Sequence, residues 1–91
     1  MEMFEELKEL LGKTVVVDTD SSWIYLGKLK RAGKDFLLLE DADAHYLGDT
    51  ISTREEYIRT SRLTGVVVNR KEVWIKMDKI VGLSLLEDVV P

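Results

Sequence analysis

Residues 14–42, which read TVVVDTDSSWIYLGKLKRAGKDFLLLEDA, determine the fold class of this chain. Three runs of β-branched, aromatic and aliphatic residues alternate with two short clusters of turn-forming residues. We therefore expect three consecutive strands, Thr14–Thr19, Trp23–Lys30 and Asp35–Ala42, joined by tight turns. Gly27 interrupts the second run and indicates a bend or bulge, as a strand that curves into a barrel requires.

The segment before these strands predicts a short amphipathic helix. Its apolar residues recur at helical spacing and are Phe4, Leu7, Leu10 and Leu11. Gly12 follows them at a position suited to a left-handed helix end. Because so short a helix is not stable alone, we expect it to dock on the strands. The unbroken apolar run Leu37–Leu39 predicts a third strand covered on both faces, with this helix as one cover.

Residues 43–65 predict an insertion between the third and fourth strands. The segments Ser52–Glu55 and Thr53–Glu56 both have the spacing of a capping box, in which a hydroxyl and a carboxylate satisfy the first backbone amides of a helix. We therefore expect a short helix from Arg54 to Ser61.

The remainder of the chain predicts the last strands. Gly65–Val68 and Glu72–Met77 are expected strands that flank a turn at Asn69–Lys71, and one continuous bent strand is the alternative. Ile80–Leu86 is the final expected strand. The helix, three strands, an insertion and two more strands together predict a small, strongly bent barrel.

Composition narrows the classes of protein that the chain can belong to. With 91 residues, 45% hydrophobic and 33% charged, the sequence fits one domain with a modest core. The absence of cysteine excludes a disulfide scaffold and a thiolate metal site. Acids near the start, and no apolar run long enough to span a bilayer, predict a cytoplasmic protein without membrane contact. A formal net charge of −4 disfavours broad electrostatic binding of nucleic acid but leaves room for a local basic patch.

The order of these elements resembles the Sm-like (LSm) family. Leu10–Val17, Trp23–Leu29 and Leu37–Ala42 are similar to the family's first motif, and Val66–Ile75 followed by Ile80–Leu85 is similar to its second. The resemblance implies a mainly β fold, a small strongly bent five-stranded Sm-like (SH3-like) barrel with an N-terminal α-helix. It implies one domain over residues 1–91, with residues 43–65 inserted between strands 3 and 4.

The resemblance also implies a ring of identical subunits. An open five-stranded barrel leaves two strand edges unpaired, and exposed apolar edges without proline promote association. In the family, the fourth strand of one copy pairs with the fifth strand of its neighbour, and such a head-to-tail contact closes into a ring. The expected interface residues are Val66, Val67, Val68, Val73, Ile75, Val81, Leu83 and Leu85.

Single-stranded RNA is the ligand that the resemblance implies, bound without catalysis, metal or cofactor. The residues expected to contact RNA are Asn69, Arg70, Phe36 and Lys34. The family's usual pocket is not carried over, because Phe36 replaces its asparagine, Ala32 replaces its upstream acid, and Asn69-Arg70 replaces its Arg-Gly pair. Phe36 therefore stacks on a base or belongs to the core, and Asn69-Arg70 contacts RNA or forms a simple turn.

Four further groups have both a functional and a purely structural interpretation. Lys28, Lys30, Arg31 and Lys34 form a basic cluster, for phosphate contacts or as solvated hairpin charges. Glu40, Asp41, Asp43, His45 and Asp49 form an acidic stretch, as metal ligands or as a solvated strand end. Arg54, Arg59 and Arg62 bind phosphate or a partner's acids, or form local salt bridges. Trp23, Tyr25 and Trp74 form a stacking surface, or fill a core or interface.

The alternative function is an oligomeric scaffold with the same fold that binds another protein and no RNA. The net acidity and the altered pocket residues favour this alternative. It would use the insertion and the acidic N-terminal helix as its contact surfaces.

Overall fold

One antiparallel sheet of five strands dominates the computed structural model, which describes residues 2–49 and 52–91. The elements in chain order are α1 (Glu2–Leu7), β1 (Thr14–Thr19), β2 (Trp23–Ala32), β3 (Phe36–Tyr46), α2 (Arg54–Thr64), β4 (Arg70–Lys76) and β5 (Ile80–Leu85). Short 3-10 turns follow α1, β3, β4 and β5. The strand order is β4-β3-β2-β1-β5, so β4 and β5 lie at the two edges. The predicted mainly β fold with five strands and an N-terminal helix is confirmed.

The turn between β4 and β5 forces this sheet to curl. It is the three-residue turn Met77–Lys79, which joins strands at opposite edges of the sheet. In a flat sheet, four strand spacings would separate those edges by about 19 Å. The chain from Lys76 to Ile80 spans at most about 14 Å. The sheet is therefore barrel-like, although β4 and β5 do not pair with each other in the described part of the chain.

Two backbone hydrogen bonds hold the β4–β5 turn against its neighbours. The amide of Met77 donates to the carbonyl of Asp35 at 2.9 Å, in the β2–β3 turn. The amide of Asp20, in the β1–β2 turn, donates to the carbonyl of Lys79 at 3.0 Å. Three turns that are distant in the sequence consequently meet in one place.

Irregularities in β2 and β3 allow the curl. The pairing register of β2 with β3 shifts at Gly27 and again at Lys30. A Cβ atom on Gly27 would lie only 2.9 Å from the Cβ atom of Ala42, so glycine is required at this close approach. Asp41 has a φ of 49°, the conformation of a residue at a bulge. The bend expected at Gly27 is therefore present.

Two hydrophobic cores lie on opposite faces of the sheet. The inner core lies within the curl and contains Val15, Val17, Leu29, Leu37, Leu39, Ala42 and Ile75. The second core lies beneath α2 and contains Val16, Ile24, Leu26, Ile58 and Leu86. Since Ile58 belongs to α2, this helix covers the second face of β1 and β2. The N-terminal segment contributes Leu10 to the inner core, and the side chain of Phe4 lies outside the described part.

The capping box at the start of α2 confirms the predicted helix. The Thr53 hydroxyl accepts a hydrogen bond from the Glu56 amide at 3.1 Å, and the Glu56 carboxylate accepts one from the Thr53 amide at 2.8 Å. These hydrogen bonds hold the pKa of Glu56 below its usual value. The helix continues three residues beyond the predicted end, to Thr64. None of the described helices is long and apolar enough to cross a membrane.

The predicted boundaries of the insertion and of the fourth strand are wrong. β3 continues to Tyr46, four residues past its predicted end, so the insertion begins later than residue 43. Residues 65–69 form no strand, and β4 begins at Arg70, which excludes both the predicted turn at Asn69–Lys71 and one continuous strand. The reason lies in packing, because Val66 contacts the second core and draws the chain toward α2.

Replacing Gly27 with alanine should lower the free energy of unfolding by about 1–3 kcal/mol, because the new methyl group would overlap Ala42 and the carbonyl of Glu40. Gly33→Ala is the matched control, since its Cβ atom would meet its nearest neighbour at an ordinary 3.5 Å. Urea unfolding of both variants at one protein concentration measures the difference. Equal stability of the two variants would contradict the close approach.

Candidate functional site

The structure separates the four predicted RNA contacts into two pairs. Phe36 begins β3 and pairs with Lys76, beside the β2–β3 turn that contains Lys34. Arg70 begins β4 and pairs with Ala42, at the opposite end of the same ladder. Six residues of strand correspond to about 20 Å. The four side chains therefore do not form one site.

Asn69 is occupied by contacts with β3. Its side-chain Oδ1 accepts from the amide of Ala44 at 2.9 Å, while its Nδ2 donates to the carbonyl of Ala44 at 3.1 Å. The Asn69 carboxamide thus makes to Ala44 the two hydrogen bonds that a backbone peptide group of β4 would make if the strand began earlier. Nδ2 also donates to Oδ1 of Asp43 at 3.0 Å. With both ends of the amide engaged, Asn69 serves as a clip that satisfies the edge of β3.

A partly buried polar cluster continues from this clip toward α2. The Asp43 carboxylate accepts a hydrogen bond from the Tyr57 hydroxyl, which joins β3 to α2. Burial and the hydrogen bond to Asp43 raise the pKa of Tyr57 well above its usual range. The His45 ring stacks on Tyr57 with a centroid distance of 3.9 Å and an angle of 7°. In the described part of the chain, the His45 Nε2 atom is buried without a hydrogen-bond partner.

The metal interpretation of the acidic stretch finds no geometric support among the described residues. No three side chains of the ligand-forming types converge within residues 2–49 and 52–91. The Asp43 carboxylate is held by Tyr57 and Asn69, and Asp41 lies 3.9 Å from the Lys28 ammonium. The side chain of Asp49 lies outside the described part.

Two of the α2 arginines form local contacts. Arg54 pairs with Asp18 of β1 at 3.1 Å and donates to the carbonyl of Ser21 at 3.3 Å. Arg62 donates to the carbonyl of Glu87 through Nη2 at 3.2 Å and Nε at 3.3 Å. These contacts fasten α2 to the sheet and to the C-terminal segment, so both arginines have structural partners, although these partners are distant in the sequence.

An aromatic patch lies at the other end of the β3–β4 ladder, and it consists of Phe36, Trp74 and Arg31. Phe36 is 43% exposed and Trp74 is 53% exposed. Their rings meet edge to face, with a centroid distance of 6.3 Å and an angle of 88°. The Arg31 guanidinium lies 6.0 Å from the centre of the Trp74 ring. The core alternative for Phe36 is therefore wrong, because its ring stands on the surface.

The predicted basic cluster contains residues that pair with acids and residues that do not. Lys30 pairs with Glu72 at 2.7 Å and with Glu40 at 3.9 Å. The hydrogen bond to Glu72 raises the pKa of Lys30. Arg31 and Lys34, by contrast, have no carboxylate partner within the residues that the structure describes. Of these two unpaired cations, Arg31 belongs to the aromatic patch and Lys34 lies in the adjoining β2–β3 turn.

The sequence did not predict that Trp74 contacts Phe36 and Arg31. Each of the three residues was a candidate, but in a different group. The missed signal is the alternation of Glu72, Trp74 and Lys76, which places these side chains on one face of β4. The pairings of Trp74 with Leu38 and of Arg31 with Leu38 then bring the ring and the guanidinium together.

The other sequence-predicted aromatics form a separate group. Trp23 stacks on Tyr25 at 6.3 Å and lies against Tyr46 at 5.2 Å. Tyr25 packs against the inner core. Trp23 and Tyr46 are 37% and 40% exposed, so this group packs on the inner core through Tyr25 and presents its other two rings at the surface.

The predicted interface residues differ in what they present to a neighbour. Val67, Val68 and Val81 are exposed by 75%, 51% and 69%. The remaining five face the cores: Val66, Val73, Ile75, Leu83 and Leu85. Any edge contact would therefore use the backbone of β4 and β5 together with the three exposed valines.

No protein-family model matches this chain, and no curated protein matches it significantly.

Replacing Asn69 with alanine should lower the free energy of unfolding by about 1–3 kcal/mol, because Ala44 and Asp43 lose their partners. Arg70→Ala, which changes the adjacent exposed residue, should alter the stability by less than about 0.5 kcal/mol. Chemical unfolding of both variants measures these values. A fully stable Asn69→Ala variant would refute the role of Asn69 as a clip.

Proposed function

We propose that the protein is a non-catalytic Sm-like module that assembles into a ring of identical subunits and binds single-stranded RNA. The observation that carries the RNA proposal is the aromatic patch with unpaired cations beside it. The strand order, with β4 and β5 at free edges, supports the ring. The resemblance to the Sm-like family, argued from the sequence, implies both ring formation and RNA binding.

The edge strands support self-association by a simple backbone argument. β4 pairs only with β3, and β5 pairs only with β1, in the described part of the chain. Each strand therefore has one row of backbone amides and carbonyls available to another strand. Pairing β4 of one copy with β5 of the next uses two different surfaces, and repetition of such a contact closes into a ring. Val81 and the valines before β4 would be covered at this contact.

The aromatic patch supports RNA binding through the chemistry of exposed bases. An unpaired base stacks on an aromatic ring, and each such contact contributes about 1–3 kcal/mol. Phe36 and Trp74 offer two rings, and Arg31 and Lys34 offer cations for the adjoining phosphates. The nearby carboxylates of Glu40 and Glu72 are partly neutralised by Lys30, which reduces the repulsion that a polyanion would meet on this face. In a ring, the patch would repeat once per subunit and bind one strand at several points.

A protein-binding scaffold is the second candidate function, favoured by a different observation. Leu63 on α2 is 74% exposed and Val67 is 75% exposed, and both lie after β3 in the segment that links it to β4. These two exposed apolar side chains lie where the scaffold hypothesis places the contact surface for a protein partner. Three results together would support this candidate over RNA binding. The protein would form rings, it would bind no RNA, and the Leu63→Lys variant would lose a protein partner.

Replacing Val81 with lysine should convert the ring to monomers, because a charged side chain would enter the covered edge of β5. Leu63→Lys is the matched control, since Leu63 is equally exposed but lies on α2. Sedimentation velocity at micromolar concentration measures the mass of each variant. A monomeric unmodified protein would overturn the ring proposal.

Replacing Trp74 with alanine should weaken RNA binding about 5- to 150-fold, the equivalent of one lost stacking contact. Fluorescence anisotropy with a short labelled single-stranded RNA of mixed sequence measures the affinity. Phe36→Ala should show a similar loss, and Lys34→Ala should reduce the salt dependence by about 0.7 in log–log slope. Lys71→Ala is the charge control, because Lys71 is exposed at the far end of β4. Unchanged affinity of both aromatic variants would refute the patch as the RNA site.

A further inference from the structure

A cavity of about 300 Å³, which we call the mouth pocket, opens beside the aromatic patch. Its lining includes Tyr25, Trp74, Lys76, Lys79, Asp20 and Ser21. The volume is at the lower end of the range for small-molecule pockets. Trp74 belongs both to this pocket and to the patch, so the two surfaces are continuous.

The β4–β5 turn places the mouth pocket at this position. The hydrogen bond from the Asp20 amide to the Lys79 carbonyl closes one side of the pocket, where the β1–β2 turn meets β5. The hydrogen bond from the Met77 amide to the Asp35 carbonyl fixes the other end of the turn next to Phe36. A strand of RNA that leaves the patch would therefore reach the pocket across one short turn.

Two aromatic residues in its lining suit the mouth pocket to a planar base. Tyr25 is half-buried, and the Trp23 ring stacks on it with a centroid distance of 6.3 Å and an angle of 16°. Trp74 is more than half exposed and offers a second ring. Three other cavities in the described part of the chain are lined by aliphatic and charged or polar residues without an aromatic ring. Aromatic lining therefore distinguishes this pocket from them.

The polar groups of the mouth pocket suit the remainder of a nucleotide. Lys79 has no ion pair within the residues that the structure describes, and Lys76 lies 3.9 Å from Asp78, too far for a strong contact. Two ammonium groups can therefore hold a phosphate. The Asp20 carboxylate is an acceptor for ribose hydroxyls or for the N–H groups of a base edge.

We propose that the mouth pocket binds one complete nucleotide of a single-stranded RNA. Its base lies against Tyr25 and Trp74, and its phosphate is held by Lys76 and Lys79. This inference rests on the proposed RNA-binding function and adds a second subsite to it. The patch receives a base by stacking alone, whereas the mouth pocket receives base, ribose and phosphate together. The pocket is thus expected to bind a single nucleoside monophosphate without the rest of a strand.

The test is a titration of the ¹⁵N-labelled protein with uridine and adenosine 5′-monophosphates, followed by NMR. The chain has two tryptophans, so the indole signals of Trp74 and Trp23 are readily distinguished. We expect shifts of the Trp74 indole and of the Asp20 and Lys79 amides. Lys79→Ala should weaken nucleotide binding about fivefold, whereas Lys71→Ala should leave it unchanged.

Uridine without phosphate and inorganic phosphate without a nucleoside complete the titration. Weaker binding of uridine supports the joint recognition of base and phosphate. Shifts with inorganic phosphate that equal those with the nucleotides would overturn the proposal, because they would indicate an adventitious ion only. The proposal is also overturned if neither nucleotide shifts the pocket signals.

The Phe36→Ala variant separates this inference from the proposed function. It should lose affinity for the labelled RNA and keep its affinity for the monophosphates, since Phe36 lies outside the pocket. RNA binding that depends on Phe36, without any monophosphate binding, would refute the mouth pocket and leave the proposed function standing. Monophosphate binding at the pocket without RNA binding would refute the proposed function and retain the nucleotide site.

Discussion

The structure depends on a turn that is too short for a flat sheet. Met77–Lys79 joins β4 to β5, which lie at opposite edges of the five strands. The sheet must therefore curl until its edges approach, and the bulges of β2 and β3 together with the close contact at Gly27 permit this. The inner core forms within the curl, and the turns at residues 20–22, 33–35 and 77–79 are brought together. The candidate site is located where they meet.

The outer face of the curled sheet needs a cover of its own. α2 provides it through Ile58, and polar contacts orient the helix, with Arg54 held by Asp18 and Tyr57 held by Asp43. Because the chain must pass from α2 back to the sheet edge, β4 begins late, and the Asn69 amide takes the place of the missing strand. The residue that resembled a base contact in the sequence is thus part of the framework. The same route leaves two valines exposed next to the edge of β4.

Local charge pairing explains how an acidic protein can present a surface suited to a polyanion. Three acids of β3 and β4 pair with two lysines of β2, so the negative charge on this face is partly compensated. Arg31 and Lys34 remain beside the exposed rings of Phe36 and Trp74. Since charge interactions across more than about 10 Å are screened at physiological salt, the local arrangement has more influence on binding than the net charge of −4.

Features that depend on neighbours in the sequence were predicted correctly from the sequence. The bounds of β1 and the start of α2 at its capping box arise from backbone preferences and from hydrogen bonds between residues a few positions apart. The bend at Gly27 was indicated by the residue type alone, although its cause is the close approach to Ala42 of β3. The length of β3, the absence of a strand at residues 65–68 and the meeting of Phe36, Trp74 and Arg31 were not predictable in this way. They depend on strand register and on burial against α2. The valines at residues 66–68 have the same local preference for a strand whether they pair in the sheet or pack against α2. The residue types of the candidate site were thus present in the sequence, whereas their grouping arose from the curl of the sheet.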